Sequence, residues 1–273
     1  TRDLATYAIT KEVEAGRGTP AGGAYLSFQH VAPEQIRLAF GPVVDRLAAN
    51  GIDLAHQPIE VAPIAHYHMG GIRVGDTLET KIAGLFACGE AIGGANGANR
   101  LSGNAITEAF VFGARAGRYA ARKAKRRLSL WSDASAPAVE FLRSAERREA
   151  PNVAAGIVSL QSLMAEYVGP FRTEAKLGVA IDRLSEMQRD LGDRPLISSP
   201  GGFDPVLVDW LDLRNMLHVA SAVALPAQAR KESRGAHQRE DHPGLDEAWQ
   251  LNQVVSMIKG EIRLKAATDT VAA

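Results

Sequence analysis

Cysteine is almost missing from this sequence, since Cys88 is the only one among 273 residues. A single thiol excludes an internal disulfide framework and any cysteine-based metal cluster, and it suits a reducing compartment such as the cytoplasm. Within the small and apolar segment Gly84–Gly89, we interpret Cys88 as a small buried hydrophobe.

Long apolar runs are missing as well. No stretch approaches the ~20 residues that a membrane-spanning helix requires, so we expect a globular protein without a transmembrane segment. The sequence begins Thr1-Arg2-Asp3, with neither an initiator Met nor a signal-peptide core. We therefore expect that the amino terminus has been cut.

Neither sign of charge is in excess, because 31 Lys and Arg balance 31 Asp and Glu. This balance argues against a nucleic-acid partner, which would require a surplus of positive charge to neutralise phosphates. With 46% hydrophobic residues the chain can bury a sizeable core.

Helical patterns dominate the two ends of the chain. The first runs from Arg2 to about Ala15, and the second from Glu34 to about Ala49, between a Pro-Glu start and an Asn-Gly stop. Residues 135–224 repeat apolar side chains at helical spacing, which predicts a helical bundle.

Between these ends, residues 63–126 alternate Gly-rich turns with short strand-like runs and then open a long helix, Ala105 to about Arg126. The first part of this helix, up to Ala116, is apolar nearly all round. We therefore expect it to be buried.

Two histidines precede a Gly-Gly turn in the segment 65–71. On a strand, His66 and His68 would point to the same face, as metal ligands two residues apart can. No cysteine or carboxylate cluster nearby completes such a site, so we predict no metal.

A second segment, Gly89–Asn104, is rich in Gly and Asn and leads into the apolar helix, as a loop shaped around a ligand does. The helix start at Asn104 and Ala105 presents unpaired N–H groups and a partial positive charge. Arg100 adds a forked donor that suits a carboxylate. From chemistry alone, a surface or salt-bridge role for Arg100 stays equally open.

Three strings in this order and spacing, His66–Ile72, Gly84–Glu90 and Gly97–Asn104, resemble the HY-x-MGG, GL-x-A-x-GE and GANRL-x-x-N motifs of the succinate dehydrogenase / fumarate reductase / L-aspartate oxidase flavoprotein family. Arg2-Asp3 and Glu232–His237 also match, so the resemblance spans essentially the whole chain. One departure is a serine at position 102, where glycine is common.

The resemblance implies the carboxy-terminal half of such a flavoprotein, with an α+β fold. Residues 1–62 would be the end of a capping, substrate-binding domain, 63–127 the second part of an FAD-binding α/β domain, and 128–273 a helical bundle domain with a charged tail. For Glu232–His237 we expect helix termination and packing of the helical domain against the capping domain.

The family's amino-terminal half carries a Gly-x-Gly-x-x-Gly turn that holds the FAD pyrophosphate, and no such turn occurs in this sequence. We therefore expect that this chain alone does not bind FAD stably and needs that missing half as a partner. The helix that begins at Ala105 would have packed against the missing sheet, so this chain alone would expose its apolar surface.

Carried over by position, Arg2 resembles the active-site arginine that moves a proton to and from the substrate carbon. His66 and Arg100 resemble the residues that bind the substrate carboxylates.

The cofactor contacts that the resemblance implies fall in one segment. Glu90 resembles the acidic residue that hydrogen-bonds the ribityl or ribose region of FAD. The start of the helix matches the contacts to the flavin ring, through Asn104, Ala105 and Ile106.

The resemblance implies interconversion of succinate and fumarate, or a related dicarboxylate, by hydride transfer to and from FAD N5. It also implies that the protein has an iron–sulfur partner and is cytoplasmic, or held at the cytoplasmic membrane face through that partner.

L-aspartate oxidase stays open as an alternative, although Met69 stands where some of those enzymes have cysteine. A non-catalytic interaction module is the third interpretation, and the presence of Arg2, His66, Glu90 and Arg100 together argues against it.

Overall fold

The computed structural model describes residues 2–124, 135–146, 152–198 and 202–267. The chain divides into two compact units, Thr1–His66 and Tyr67–Ala273. The predicted domain boundary at residues 127–128 lies outside the described residues. Helices and short strands are mixed, as the α+β prediction requires.

The first unit contains two helices and a two-stranded sheet. Both predicted helices are present, as α1 (Arg2–Glu14) and α2 (Pro33–Ala48). Strands β1 (Ala24–Leu26) and β2 (Ile59–Val61) pair in antiparallel register. The kink in α2 at Phe40 was not predicted, and Pro42 explains it, because a proline ring clashes with the preceding turn of a helix.

The second unit opens with a loop-rich segment in place of regular strands. The predicted strand-like runs form isolated bridges among the described residues, Ile72 parallel to Ile92 and Glu79 antiparallel to Phe86. A small core of Leu78, Ile92 and Ala116 lies beneath them.

The long helix α3 (Asn104–Lys123) follows, close to its predicted bounds. The prediction that its first half is buried is wrong for this chain, because Ile106, Phe110 and Val111 are 67%, 76% and 48% exposed. The expectation that the chain alone exposes an apolar helix surface is met by these same three residues, which we call the α3 apolar face.

The described residues from Ala136 to Ala229 are mostly helical, which confirms the predicted bundle. Its helices are α4 (Ala136–Arg143), α5 (Val153–Tyr167), α6 (Glu174–Leu191) and α7 (Pro205–Ala229). Side chains of Asn152, Thr173 and Asp204 cap the starts of α5, α6 and α7 by accepting backbone N–H groups.

The core of the bundle lies between α5, α6 and α7. Its most deeply buried side chains are Leu160, Leu177, Leu184, Trp210 and Leu217, each at most 2% exposed. Burial of one such side chain contributes about 1.5–3 kcal/mol, so this core holds the bundle together.

The chain ends in structure that the sequence did not reveal. Strand β3 (Phe171–Arg172) pairs in parallel with β4 (Gln238–Arg239), and β5 (Asn252–Ile258) forms an antiparallel hairpin with β6 (Glu261–Ala267). The predicted charged tail of a helical domain therefore contains a hairpin, with positive φ at both turn residues, Lys259 and Gly260.

Arg239 closes the carboxyl end of α7. Its buried guanidinium donates from Nη1 to the carbonyls of Ala227, Gln228 and Arg230 at 3.1, 2.9 and 3.2 Å. A cation at the carboxyl end of a helix satisfies free carbonyls and opposes the negative end of the helix dipole.

No helix in the described part of the chain combines the length and apolar composition that a bilayer crossing requires.

Candidate functional site

The segments 65–72 and Gly89–Asn104 contact each other through closely approaching glycines. The Ile72 N–H donates to the Ala91 carbonyl at 2.8 Å, and the Gly93 N–H donates to the Ile72 carbonyl at 3.3 Å. A Cβ on Gly71 would lie 2.6 Å from the Ala91 oxygen, and one on Gly93 would lie 2.8 Å from the Gly71 nitrogen. Only glycine allows this approach, and it places the segment 67–72 beside Glu90.

Glu90 lies in a 3-10 turn, Gly89–Ala91, and is exposed. Its Oε1 accepts the backbone N–H of His68 at 2.9 Å. The carboxylate is therefore fixed to the neighbouring motif while it remains open to solvent, as an acceptor for the hydroxyl groups of a ligand must be.

Three polar side chains next to Glu90 and Arg100 form a hydrogen-bonded cluster. The Tyr67 hydroxyl donates to Glu108 Oε2, and the Asn96 amide donates to the same carboxylate oxygen at 2.9 Å and to the tyrosine oxygen at 3.1 Å. Glu108 is 6% exposed, and its other oxygen, Oε1, is buried without a hydrogen-bond partner among the described residues. We call these three residues the Tyr67–Asn96–Glu108 cluster.

The cluster keeps Tyr67 neutral. Burial raises the pKa of Tyr67 to about 12, and the hydrogen bond and charge of Glu108 act in the same direction. Glu90 adds to this effect through its charge, whereas the charge of Arg100 opposes it. Tyr67 therefore remains a hydrogen-bond donor at physiological pH, with Glu90 and Arg100 both close to it.

Arg100 is held over the ring of Tyr67. Its guanidinium carbon lies 4.4 Å from the ring centroid, and Nη1 donates to the Leu101 carbonyl at 3.1 Å. Among the described residues Arg100 forms no ion pair, and its buried Nε has no acceptor. A half-buried guanidinium without a carboxylate partner favours anion binding over the salt-bridge interpretation.

The start of α3 is a second feature that suits a negatively charged group. Gly103 precedes the helix with φ +94°, no side chain caps it, and its first turn contains no acidic residue. Asn104 and Ile106 are exposed and Ala105 is half-buried. The positive end of a 20-residue helix dipole is thus open to solvent.

The contacts expected at this helix start are partly occupied. The Asn104 N–H donates to the Leu101 carbonyl and the Ile106 N–H to the Gly103 carbonyl, each at 3.2 Å. These distances are long for N–H···O bonds, so both groups remain weakly held.

Two predicted residues of the second unit lie beside Tyr67, since Glu90 accepts the N–H of the neighbouring His68 and Arg100 lies over the Tyr67 ring. The predicted helix start at Asn104 lies one turn before Glu108, which was not predicted. His66 ends the first unit in an exposed loop after β2. Arg2 is the first residue of α1, and its side chain lies outside what the structure describes. In the described part of the chain, no three His, Cys, Asp or Glu side chains are grouped to hold a metal ion.

Sequence reasoning missed the Tyr67–Asn96–Glu108 cluster. Tyr67 and Glu108 are 41 positions apart, so no local pattern connects them. One signal was available: Glu108 is the only acidic residue in the largely apolar run from Ala105 to Ala116. A carboxylate in such a run indicates a buried polar contact.

Two family models match the chain in succession. An FAD-binding domain matches residues 1–106, and the carboxy-terminal domain of fumarate reductase flavoproteins matches residues 158–271.

Individual proteins give the same result. The chain is 37% identical over 256 residues to one component of the fumarate reductase (CoM/CoB) of Methanothermobacter marburgensis, covering 91% of this chain and 46% of that protein. It is 34% identical over 249 residues to an L-aspartate oxidase of Rhodospirillum rubrum, covering 90% of this chain and 79% of that protein. Among solved structures, Mycobacterium smegmatis Sdh1 in complex with UQ1 has a TM-score of 0.83 and 35% identity, covering 100% of this chain and 47% of that one.

The fold and these matches place the chain in the class of flavoproteins. The chain belongs to the succinate dehydrogenase / fumarate reductase / L-aspartate oxidase flavoprotein family. It spans about half the length of several curated relatives that it matches, 46% for the Methanothermobacter protein.

Proposed function

We propose that this chain forms part of an FAD-dependent oxidoreductase that interconverts succinate and fumarate or a related dicarboxylate. The observation that carries the proposal is Arg100, a half-buried guanidinium that has no ion pair among the described residues and lies 4.4 Å from the Tyr67 ring. No carboxylate among the described residues neutralises its charge, so a substrate carboxylate would find an uncompensated cation there.

FAD fits the residues of the second unit. Glu90 is an exposed and anchored acceptor that suits a ribityl or ribose hydroxyl. The open amino terminus of α3, at Asn104, Ala105 and Ile106, suits the edge of a flavin ring where negative charge develops. Bound FAD would supply the chemistry of accepting or donating a hydride at N5.

The protein side chains would bind and orient the substrate. By the family resemblance, Arg100 and His66 would each contribute to binding the substrate carboxylates and so orient the substrate. Arg2 would move the proton at the substrate carbon. Since arginine is normally locked in its protonated form, this role rests on the family and not on the chemistry of an isolated guanidinium.

The activity is tested in the full-length protein that carries this chain. Purified holoenzyme should contain about one FAD, oxidise succinate with an artificial electron acceptor, and reduce fumarate with a reduced dye. Activity with neither substrate, in protein that retains FAD, would contradict the proposal.

L-aspartate oxidase is a second candidate, because the Rhodospirillum relative with that name is matched over 79% of its length. The same preparation distinguishes the two, since an L-aspartate oxidase releases ammonia and an oxo acid from L-aspartate. We favour the first candidate because Met69 occupies a position that is cysteine in some of those oxidases.

Protein partners belong to the proposal as well. We propose that the full-length protein transfers electrons through an iron–sulfur subunit, which would hold it at the cytoplasmic face of a membrane. Co-purification of an iron–sulfur protein with the flavoprotein would support this, and a flavoprotein that exchanges electrons with its physiological partner molecule without any iron–sulfur protein would exclude it.

A further inference from the structure

The carboxy-terminal motif Glu232–His237 contacts the loop that carries Arg100. The Ala236 N–H donates to the Ala98 carbonyl at 2.9 Å. A Cβ on Gly235 would lie 2.5 Å from that oxygen and 2.6 Å from the carbonyl carbon, and the φ of Gly235 is +57°. Glycine is required here by both the space and the backbone conformation. Ala98, the residue that is contacted, lies two residues before Arg100.

The motif itself is firmly held. Glu232 is 1% exposed and accepts hydrogen bonds from Arg230 at 2.6 Å, from Arg234 at 2.8 and 3.0 Å, and from the Asp246 N–H at 3.0 Å. Burial alone would raise the pKa of Glu232, but the bonds from Arg234, Asp246 and Arg230 lower it to about 2. The buried carboxylate is therefore ionised and fully engaged at neutral pH.

The tip of the motif is a closed turn. The backbones of Arg234 and His237 exchange two hydrogen bonds, of 2.8 and 3.0 Å. The His237 ring accepts from Arg172 Nη1 at 3.0 Å, and the Ser233 hydroxyl accepts the Arg239 N–H at 2.9 Å. Gly235 and Ala236 are thus the fixed tip of this turn.

Residues 94–103, which we call the Arg100 loop, form weaker backbone hydrogen bonds among themselves than the motif does. The loop's backbone bonds, from Gly97 to Gly94 and from Asn99 to Asn96, are 3.5 and 3.3 Å long. Such lengths are at or beyond the usual limit for N–H···O bonds, whereas the 2.9 Å bond to Ala236 is of ordinary strength. The shortest backbone–backbone bond of this loop is therefore supplied by the Glu232–His237 motif, while the Arg100 N–H donates to the Asn99 side chain within the loop at 2.9 Å.

We propose that the Gly235–Ala236 turn is a positioning element for Arg100: it fixes the Ala98 carbonyl and so sets where the guanidinium meets a substrate carboxylate. This inference rests on the proposed role of Arg100. It gives the Glu232–His237 motif a function in the site, through its contact with the loop that carries Arg100.

The test compares two glycine-to-alanine variants of the full-length holoenzyme. Gly235→Ala places a methyl group against Ala98, whereas Gly260→Ala, at a similar positive φ of +81°, has no atom within 4 Å of the new Cβ. Both variants carry the same kind of backbone strain, but only the first pushes on the Arg100 loop. We expect Gly235→Ala to lower kcat/KM for succinate or fumarate about a hundredfold, with a raised KM and a lowered kcat. Gly260→Ala should stay within about twofold of the parent, and both variants should keep their FAD.

A double-mutant cycle with Arg100→Lys separates positioning from general loss of structure. If the turn acts through Arg100, Gly235→Ala costs about twofold or less in the Arg100→Lys background. Equal losses in both backgrounds, or a Gly235→Ala enzyme that behaves like Gly260→Ala, would overturn the inference and leave the proposed function intact. An unchanged Arg100→Lys enzyme would overturn both. Should Gly235→Ala fail to fold, Ser233→Ala, which loosens the same turn by removing the hydroxyl bonded to Arg239, replaces it in the cycle.

Discussion

At the scale of single residues, Tyr67 joins two opposite charges. Its ring receives the Arg100 guanidinium, and its hydroxyl donates to the buried carboxylate of Glu108. These two parts of one side chain have separate energetic roles. The hydroxyl satisfies a buried charge, and the ring holds a cation without neutralising it.

The two roles are separable by substitution in the full-length enzyme. Tyr67→Phe removes the hydroxyl and should lower the free energy of unfolding by about 1–3 kcal/mol, because a buried carboxylate loses a donor. Tyr67→Leu also removes the ring, and should raise the KM for the dicarboxylate about tenfold as the cation–π contact is lost. Urea denaturation and steady-state kinetics measure the two effects. Equal KM values for the Phe and Leu variants would show that the ring does not hold Arg100.

At the scale of elements, buried ion pairs fix the end of α7 and the motif that follows it. Arg239 has no exposed side-chain surface, donates to three carbonyls at the helix end, and binds Asp241 through two hydrogen bonds of 2.8 and 2.9 Å. Its hydrogen bonds hold the pKa of Asp241 well below its usual range.

Removal of this guanidinium should destabilise the second unit. We expect Arg239→Ala to lower the free energy of unfolding by about 3 kcal/mol, since buried carbonyls and a carboxylate lose their donor together. The control is Arg263→Ala, which breaks an exposed pair with Glu261 and should cost at most about 0.5 kcal/mol. Similar losses for both variants in urea denaturation would contradict the assignment.

His237 gives the same element a pH dependence. Burial, with the charge of Arg172, lowers the pKa of His237 from 6.5 to about 4. Below pH 6.5 His237 is protonated in the unfolded chain, whereas in the folded chain it stays neutral down to about pH 4. The contribution of neutral His237 to stability is therefore present above pH 6.5 and is lost as pH falls towards 4.

The effect of His237 on stability should be on the order of 2–3 kcal/mol between these limits. His237→Asn should therefore flatten the fall in melting temperature over this pH range, whereas replacement of the exposed His30 should not. Parallel curves for the parent and His237→Asn would exclude the linkage.

The elements differ in how far the sequence determines them. The helices were predictable because α2 has its Pro start and Asn-Gly stop, and α5 to α7 repeat their apolar residues locally. The bridges of residues 72–92 and the docking of Gly235 on Ala98 depend on contacts distant along the chain, which periodicity does not encode. In the site, Glu90, Arg100 and Asn104 were recognisable from motifs, whereas Glu108 acts through Tyr67, 41 positions away.

At the scale of the whole molecule, the α3 apolar face distinguishes this chain from a self-sufficient domain. Ile106, Phe110 and Val111 are all about half exposed or more. Exposed apolar groups of this kind drive association. The chain also lacks the Gly-x-Gly-x-x-Gly turn for a dinucleotide pyrophosphate.

The 273-residue chain purified alone should therefore self-associate and carry little or no FAD. Phe110→Gln should shift its elution in gel filtration towards the monomer, because it places a polar group in the centre of the apolar face. Replacement of the exposed Leu245, at 72%, serves as the control outside this face. A monodisperse parent with a cooperative melt, or one that retains stoichiometric FAD, would contradict this view.

We propose that Arg100 binds a substrate carboxylate, and the kinetics of Arg100→Lys in the full-length holoenzyme decide whether it does. Lysine keeps the charge but loses the planar fork that holds a carboxylate through two hydrogen bonds. We predict that kcat/KM falls roughly a hundredfold, about 2.7 kcal/mol, with KM raised, kcat lowered and FAD content unchanged. Arg118→Lys, at an exposed position on α3, should be without effect. An Arg100→Lys enzyme with unchanged kcat/KM for succinate, fumarate and L-aspartate would remove Arg100 from the site.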